Sequence, residues 1–296
     1  WLPAGEDRPS RARPFDGDRP LAIDRFAGGS NGELWSLREH TLVRLRWTDK
    51  LVPMRAFELD RLLFADADTS PAAVRLAPDG DGVWVSHARG LGYIDSITGE
   101  VTRFPFRSDL PDRLRGRRLY CPEPGEVWAV HVGSMERCRL ATGTCERFDW
   151  AEKQDLWALS ILRDSAGYMW AGAGSGGFYR LDETKRQWQR FRYDDNPRRD
   201  GSETRISSLV EDARGHLWLG THHNGLLELD RDRRLVGRYD RFGPLGSDDA
   251  RKVTLDVDGF LWIYASRGLT RLDPRTGDMI RYDATDGVPV TGWART

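Results

Sequence analysis

Hydrophobic and polar residues alternate along this chain in short runs, and each run is closed by Gly, Asp, Asn, Pro or Ser. Period-two alternation bounded by turn residues predicts short strands with one face buried. The clearest stretch lies within residues 206–239. Ile206 to Glu211 predicts a first strand (a), Asp212-Ala-Arg-Gly215 a turn, His216 to Thr221 a second strand (b), and His222-His223-Asn224-Gly225 another turn. Leu226 to Asp230 (c) and Leu235 to Tyr239 (d) complete a four-stranded unit, joined by Arg231 to Arg234. In the Asp-x-x-Gly turn, aspartate can accept from backbone amides while glycine supplies the positive φ that closes it.

The unit recurs. A glycine, two residues and a tryptophan appear as Gly32-Glu-Leu-Trp35, Gly125-Glu-Val-Trp128, Gly167-Tyr-Met-Trp170, Gly215-His-Leu-Trp218 and Gly259-Phe-Leu-Trp262, with a copy shifted by one residue at Asp81-Gly82-Val83-Trp84. Successive tryptophans stand 49, 44, 42, 48 and 44 residues apart, the length of four short strands with their turns. This predicts an all-β fold, a β-propeller of four-stranded antiparallel blades. A single blade cannot bury both faces, so the repeated tryptophans are expected between neighbouring blades as core. Six repeats are readable, centred on Trp35, Trp84, Trp128, Trp170, Trp218 and Trp262, and the first is the most degenerate. The expectation is one propeller domain over 1–296, either seven-bladed or a truncated piece of such a ring. In it, 1–24 is irregular or a partial blade and 283–296 starts a further one.

Composition narrows the function classes. The net charge is −1, so no overall field attracts nucleic acid or an anionic membrane. No apolar run reaches the length of a membrane span. The chain begins at Trp1 without methionine and ends at Thr296 without a stop signal, which reads as a segment of a larger protein. Three cysteines are too few for a disulfide scaffold, and their spacing suits no zinc site.

The repeat is similar to the two-component regulator propeller family. "SLVEDARGHLWLGTHHNGLLELD" (208–230) carries the inner strand, Asp-x-x-Gly, Trp, a small-residue turn, Gly-Leu and a strand ending at Asp; "VTLDVDGFLWIYASRGLTRLD" (253–273) carries nearly the same set, and "YDATDGVP" (282–289) looks like the link to a next blade. The resemblance is strong over about 160–290 and diffuse over 25–150. It implies an extracytoplasmic, periplasmic sensor segment of a membrane receptor. The receptor would be a dimer through its parent chain, with a histidine kinase or cyclic-dinucleotide output, and would touch the membrane only through flanking segments. The expected partner is a small polar or carbohydrate ligand, with no cofactor, no metal and no nucleic acid.

A carbohydrate-active enzyme on the same fold is the rival class, and a protein-interaction platform the third. Sialidase-type propellers place Asp five residues before Trp; here Asp164 and Asp212 stand six before theirs. Ser165, Ser208 and Cys121 lack a base at diagnostic spacing, so no catalytic residue is assigned. Gly172-Ala-Gly174-Ser-Gly176-Gly177 lies between two predicted strands, whereas a phosphate loop needs a helix N-terminus.

Binding is best sought on the face where b–c and d–a loops converge, because loops on a rigid scaffold carry sites. Five of six histidines fall in or beside b–c turns: His40, His87, His131, His222 and His223. They read either as polar turn residues or as imidazoles facing a ligand. Asn224 shares the turn of His222 and His223, and Arg89 and Arg267 occupy equivalent turn places that favour an anionic or polyhydroxyl ligand. Trp150 and Trp157 flank a d–a loop and fit no blade-core position; each is either a sugar-stacking platform or rim packing.

Aligning c–d hairpins on Thr98-Gly99, Thr142-Gly143 and Thr276-Gly277 puts Cys138 where Ile94 and Leu272 fall, and Cys145 where Val101 and Met279 fall. Facing Cβ atoms on antiparallel strands lie about 4.5–5.5 Å apart, close to disulfide range. Two readings stand: a Cys138–Cys145 bond, which would mark an oxidising compartment, or two reduced core cysteines. Cys121 is expected to be a free thiol.

Overall fold

The computed structural model describes residues 25–28, 33–38, 41–48, 51–58, 75–79, 82–87, 90–105, 118–151, 156–174, 176–193, 204–265 and 268–288. The chain forms two compact units, one of residues 1–131 and 136–146, the other of 132–135 and 147–296. The expected partial blade over 1–24 lies outside the described residues, as do 289–296.

In the first unit, the first blade has β1 (Arg25–Gly28), β2 (Glu33–Arg38), β3 (Thr41–Trp47) and β4 (Leu51–Glu58). The second has β5 (Arg75–Asp79), β6 (Gly82–His87), β7 (Gly90–Asp95) and β8 (Val101–Pro105). Each is a four-stranded antiparallel meander in sequence order. The third blade has β9 (Arg118–Glu123), β10 (Glu126–Val130), β11 (Ser134–Arg139) and β12 (Thr144–Trp150), the last strand running on into the second unit. The second unit holds the fourth blade, β13 (Ala158–Arg163), β14 (Met169–Ala173), β15 (Phe178–Asp182) and β16 (Gln187–Phe191). The fifth has β17 (Ile206–Glu211), β18 (Leu217–Thr221), β19 (Leu226–Leu229) and β20 (Leu235–Tyr239), and the sixth β21 (Ala250–Leu255), β22 (Leu261–Ala265), β23 (Gly268–Leu272) and β24 (Met279–Tyr282). A capped 3-10 turn, Ala284–Asp286, follows β24. No helix among the described residues is long and apolar enough to cross a membrane.

The tryptophans pack as their periodicity predicts. Trp35, Trp84, Trp128, Trp170 and Trp218 are all buried. Trp35 packs with Val83, Val85 and Ile94 of the second blade, and Trp84 with Val127, Ala129 and Cys138 of the third. Trp170 packs with Ile206, Leu217 and Leu219 of the fifth blade, and Trp218 with Ala250, Val253 and Ile263 of the sixth. Trp35, Trp84, Trp170 and Trp218 therefore each fill the gap to the following blade.

The Asp-x-x-Gly turn does more than turn the chain. Asp212 Oδ1 accepts from the Arg214 and His216 amides at 2.8 and 3.0 Å, and Oδ2 accepts from Trp218 Nε1 at 2.9 Å. Asp164 and Asp256 repeat the pattern, holding Trp170 and Trp262 Nε1 at 2.7 Å each. One carboxylate thus fixes the turn and satisfies a largely buried indole N–H, which would otherwise lose its hydrogen bond to water. This is why the aspartate stands six residues before the tryptophan. Gly167, Gly215 and Gly259 close these turns at φ 86°, 75° and 85°.

Neighbouring blades are also tied by polar bonds. Arg233, in the c–d turn of the fifth blade, donates to Asp164 Oδ2 at 2.6 Å and to Gly215 O at 2.7 Å, and the Ser165 amide donates to Glu211 at 2.6 Å. The end of β12 pairs in parallel with β16, Asp149 opposite Gln187 and Trp150 opposite Trp188. Nothing in the local sequence pattern marks that pairing.

Candidate functional site

Antiparallel pairing puts the b–c turn beside the start of strand a. Ile206 faces Thr221 in the fifth blade, and Ala158 faces Ala173 in the fourth. The backbone repeats a bond there. The residue after strand b donates its N–H to the carbonyl of the residue before strand a: Gly174 to Trp157 and His222 to Arg205, both at 3.0 Å. The turn glycine then reaches the following blade, Gly177 to Thr204 O at 3.0 Å and Gly225 to Asp248 O at 2.7 Å. Trp157, Arg205 and Asp249 are therefore equivalent residues, each immediately preceding a strand a.

Their side chains and those of the turn form a row of polar and aromatic groups along the rim of the second unit. Trp157, half-buried, lies against Gly174, where an added Cβ would meet its Nε1 at 2.5 Å. Gly174 O accepts from Arg205 Nε at 2.8 Å. His222 Nδ1 stands 3.8 Å from Asp249 Oδ1, and Asp249 Oδ2 accepts from Arg251 Nε at 2.6 Å. Asp249 Oδ1 is buried with no hydrogen-bond partner. His223 takes φ 73° and sets its ring 6.2 Å from that of His222. Burial depresses the His222 pKa; Asp249 opposes this, while Arg205, Arg251 and His223 add to the depression.

The candidates read from sequence separate here. His222 and His223 join this row. Asn224 ties loops together, donating to Thr204 Oγ1 at 2.6 Å and accepting from Arg238 at 2.9 Å. Trp157 sits at the rim, but Trp150 is only 5 % exposed and packs on Tyr179 and Trp188 with ring centroids 4.8 and 5.7 Å away. A face so covered cannot stack a sugar, so the platform reading falls for Trp150, which packs against β15 and β16. His131 is fully buried, 3.9 Å from the equally buried Glu136, which removes it from any ligand-facing set. His87 ends β6 opposite Gly90; its side chain, and His40, Arg89 and Arg267, lie outside the described residues. Cys138 and Cys145 form a disulfide with Cα atoms 4.1 Å apart, and Cys121 keeps its thiol outside it. The register of the sister hairpins pairs Ile94 with Val101 and Leu272 with Met279.

Sequence reasoning missed Arg205, Asp249 and Arg251. Arg205 and Asp249 each immediately precede a strand a, and the alignment of those positions was the signal that would have found them; Arg251, the second residue of β21, follows from its place two residues after Asp249.

Among the described residues one cluster has metal-ligand chemistry: Asp212, His216 and Glu228 offer donor atoms within 4.8 Å of one another. A cation is already there. Arg214 donates to both Asp212 Oδ2 and Glu228 Oε1 at 2.8 Å, while His216 Nδ1 and Tyr239 Oη bond Glu228 at 2.8 and 3.0 Å. Burial, with the Glu228 charge and hydrogen bond adding to it, pushes the Tyr239 pKa up to about 12. For Asp212, burial opposes the charge, but bonds from Trp218, Arg214 and the His216 amide outweigh it and hold the pKa low. This network is a blade clamp built around a guanidinium.

Residues 200–223 match the family described as the two component regulator propeller. No curated protein sequence matches the chain. Among solved structures, the chain is similar to the extracellular domain of BT3049, assigned to a hybrid two component system of B. thetaiotaomicron. The TM-score is 0.56 at 18% identity, over 88% of this chain and 34% of that one. It is similar to PorZ, an essential bacterial surface component of the type-IX secretion system of Porphyromonas gingivalis, with TM-score 0.66 at 14% identity over 89% and 40% of the two chains. It is also similar to YCF48 bound to D1 peptide, with TM-score 0.59 at 14% identity over 88% and 82%. The chain thus spans about a third of the BT3049 domain. The fold is a β-propeller, and residues 200–223 carry the regulator-type repeat.

Proposed function

We propose that this chain is the non-catalytic, ligand-sensing propeller of a membrane-anchored receptor of the two-component type, exposed outside the cytoplasm and dimeric through its parent chain. The recognition face is the rim bearing Trp157, Arg205, His222, His223, Asp249 and Arg251. One observation carries this reading. The fourth, fifth and sixth blades share a repeating skeleton of aspartate, glycine and tryptophan, whereas their equivalent rim positions hold Trp157, Arg205 and Asp249, three different chemistries at one place in the blade. The regulator-type match over 200–223 and the likeness to an extracellular domain support the receptor class. The Cys138–Cys145 bond supports an oxidising compartment.

The test is thermal-shift screening of the purified chain against sugars and organic acids, beside a His222→Ala/His223→Ala variant. Hits that stabilise the chain and lose their effect in the variant support the reading. Hits that stabilise both equally put recognition elsewhere. Turnover of a glycan panel, abolished by one carboxylate substitution, would replace the sensor with an enzyme.

A further inference from the structure

The rim row has a specific chemical bias. Arg205 and Arg251 are exposed, and each engages the protein through Nε alone, to Gly174 O and to Asp249 Oδ2. Among the described residues no side chain or carbonyl meets their terminal nitrogens, which leaves the outer edge of each guanidinium for a ligand. Guanidinium edges pair with planar oxyanions, above all carboxylates, through two parallel hydrogen bonds. The acidic group of the cluster, Asp249, does not cancel them. Its Oδ2 is held by Arg251 and its Oδ1 is buried, turned toward His222. Trp157 is bound to the row through Gly174, which donates to the Trp157 carbonyl and accepts from Arg205. An indole beside a guanidinium edge suits a ring with an apolar face and a charged substituent.

We propose that this face binds a sugar acid, its carboxylate held by Arg205 and Arg251 and its ring against Trp157, with a proton taken up by His222 as it binds. The proposal rests on the sensor reading above and names the ligand class of that same face. The proton linkage follows from the groups around His222: Arg205 before β17, Asp249 and Arg251 at β21, and His223 in its own turn. Without ligand, burial and then the Arg205 and Arg251 guanidinium groups and His223 hold the imidazole pKa below its ordinary value, against the opposing pull of Asp249. A bound carboxylate neutralises that positive field, so the imidazolium becomes favourable and its Nδ1–H turns toward the orphan Asp249 Oδ1, now 3.8 Å away. A ligand that stabilises the protonated form binds more tightly as pH falls through the pKa of the complex.

Calorimetry of D-glucuronate, D-galacturonate and D-glucose at about pH 5 and about pH 8 tests this on the whole chain. A uronate is expected to bind about tenfold tighter at the lower pH for each unit by which it raises the His222 pKa. Arg205→Gln and Arg251→Gln are expected to lose uronate binding, and His222→Gln to retain it with a flat pH profile. Proton NMR of His222 in the unaltered chain supplies a check free of variants: its pKa should rise on adding the uronate and stay put with glucose. Glucose binding as well as the uronates, indifferent to both arginine substitutions, would overturn the sugar-acid inference and leave the sensor reading standing. Absence of binding by all three sugars at both pH values would overturn the inference, and the wider screen above then decides the sensor reading separately. Full pH dependence surviving in His222→Gln would refute the proton linkage.

Discussion

The turn before Trp218 and the turn before Trp128 meet the same demand with different atoms. In the fifth blade Asp212 sits in the turn and binds two turn amides, the Trp218 indole and Arg214. In the third blade the position six before tryptophan is Pro122, which has no acceptor side chain. Gly125 still closes the turn at φ 75°, but the indole N–H of Trp128 is received by Glu126 Oε1 at 2.8 Å, from within strand b. Glu126 Oε2 accepts from Arg139 at 2.9 Å, Arg139 and Arg137 both reach Glu146, and the Cys138–Cys145 bond closes the same hairpin. The repeat therefore requires an acceptor for its tryptophan rather than an aspartate. Where the turn cannot supply one, cross-strand charge pairs and a covalent bond take over the stabilisation.

The comparison breaks most easily at its strongest point. Asp212→Ala leaves Arg214 half-paired and the Trp218 indole without its acceptor, and is expected to cost about 3 kcal/mol or more in chemical denaturation. Glu126→Ala removes fewer bonds from a blade with other ties and should cost less, about 1–2 kcal/mol. An equal or larger loss for Glu126→Ala would show that the third blade has no compensating device. Next comes the disulfide. Replacing Cys138 and Cys145 by alanine should cost about 2 kcal/mol, because the closed loop is short. Hydrogen exchange should locate the loosening in β11 and β12 and leave β17–β24 unchanged.

The smallest effect is on acid stability. Asp182 is held down to about 2 by the Thr184 hydroxyl and the Lys185 amide, and Asp256 is depressed chiefly by Trp262. A carboxyl with a folded pKa below its unfolded value, about 3.9, stabilises the native state above that value. The contribution is lost as pH falls toward the folded pKa. Unfolding free energy should thus be level down to about pH 5 and then decline toward about pH 2. The decline should be shallower in Asp182→Asn, and a profile unchanged by that substitution would separate this turn from acid stability.

Much of the fold was legible because its causes are local. In the fifth blade, strands a and d begin and end where alternation and turn residues place them, at Ile206–Glu211 and Leu235–Tyr239. The tryptophan spacing gave the blade boundaries, and the Thr-Gly alignment gave the hairpin register around Cys138 and Cys145. The site was legible in its turn residues, His222 and His223, and in Trp157, whose type and place set it apart from the blade-core tryptophans. Arg205, Asp249 and Arg251 come from segments leading into two strands, and only the folded register brings them to that turn. Burial was equally hidden. His131 and His222 look alike in sequence, yet one is enclosed against Glu136 and the other opens on the rim. The acceptor role of Glu126 left no motif, since a glutamate two residues before a tryptophan is ordinary.

The bond between the residue after strand b and the residue before strand a uses main-chain atoms only, Gly174 with Trp157 and His222 with Arg205. Except at Gly174, where an added Cβ would meet the Trp157 indole, side chains there can be exchanged without disturbing the bond that holds the position in place. The fourth and fifth blades thus each offer a socket whose geometry is inherited and whose contents are free. Such a molecule can change what it recognises by single replacements at successive sockets, with its stability drawn from the tryptophans and carboxylates elsewhere in the blade.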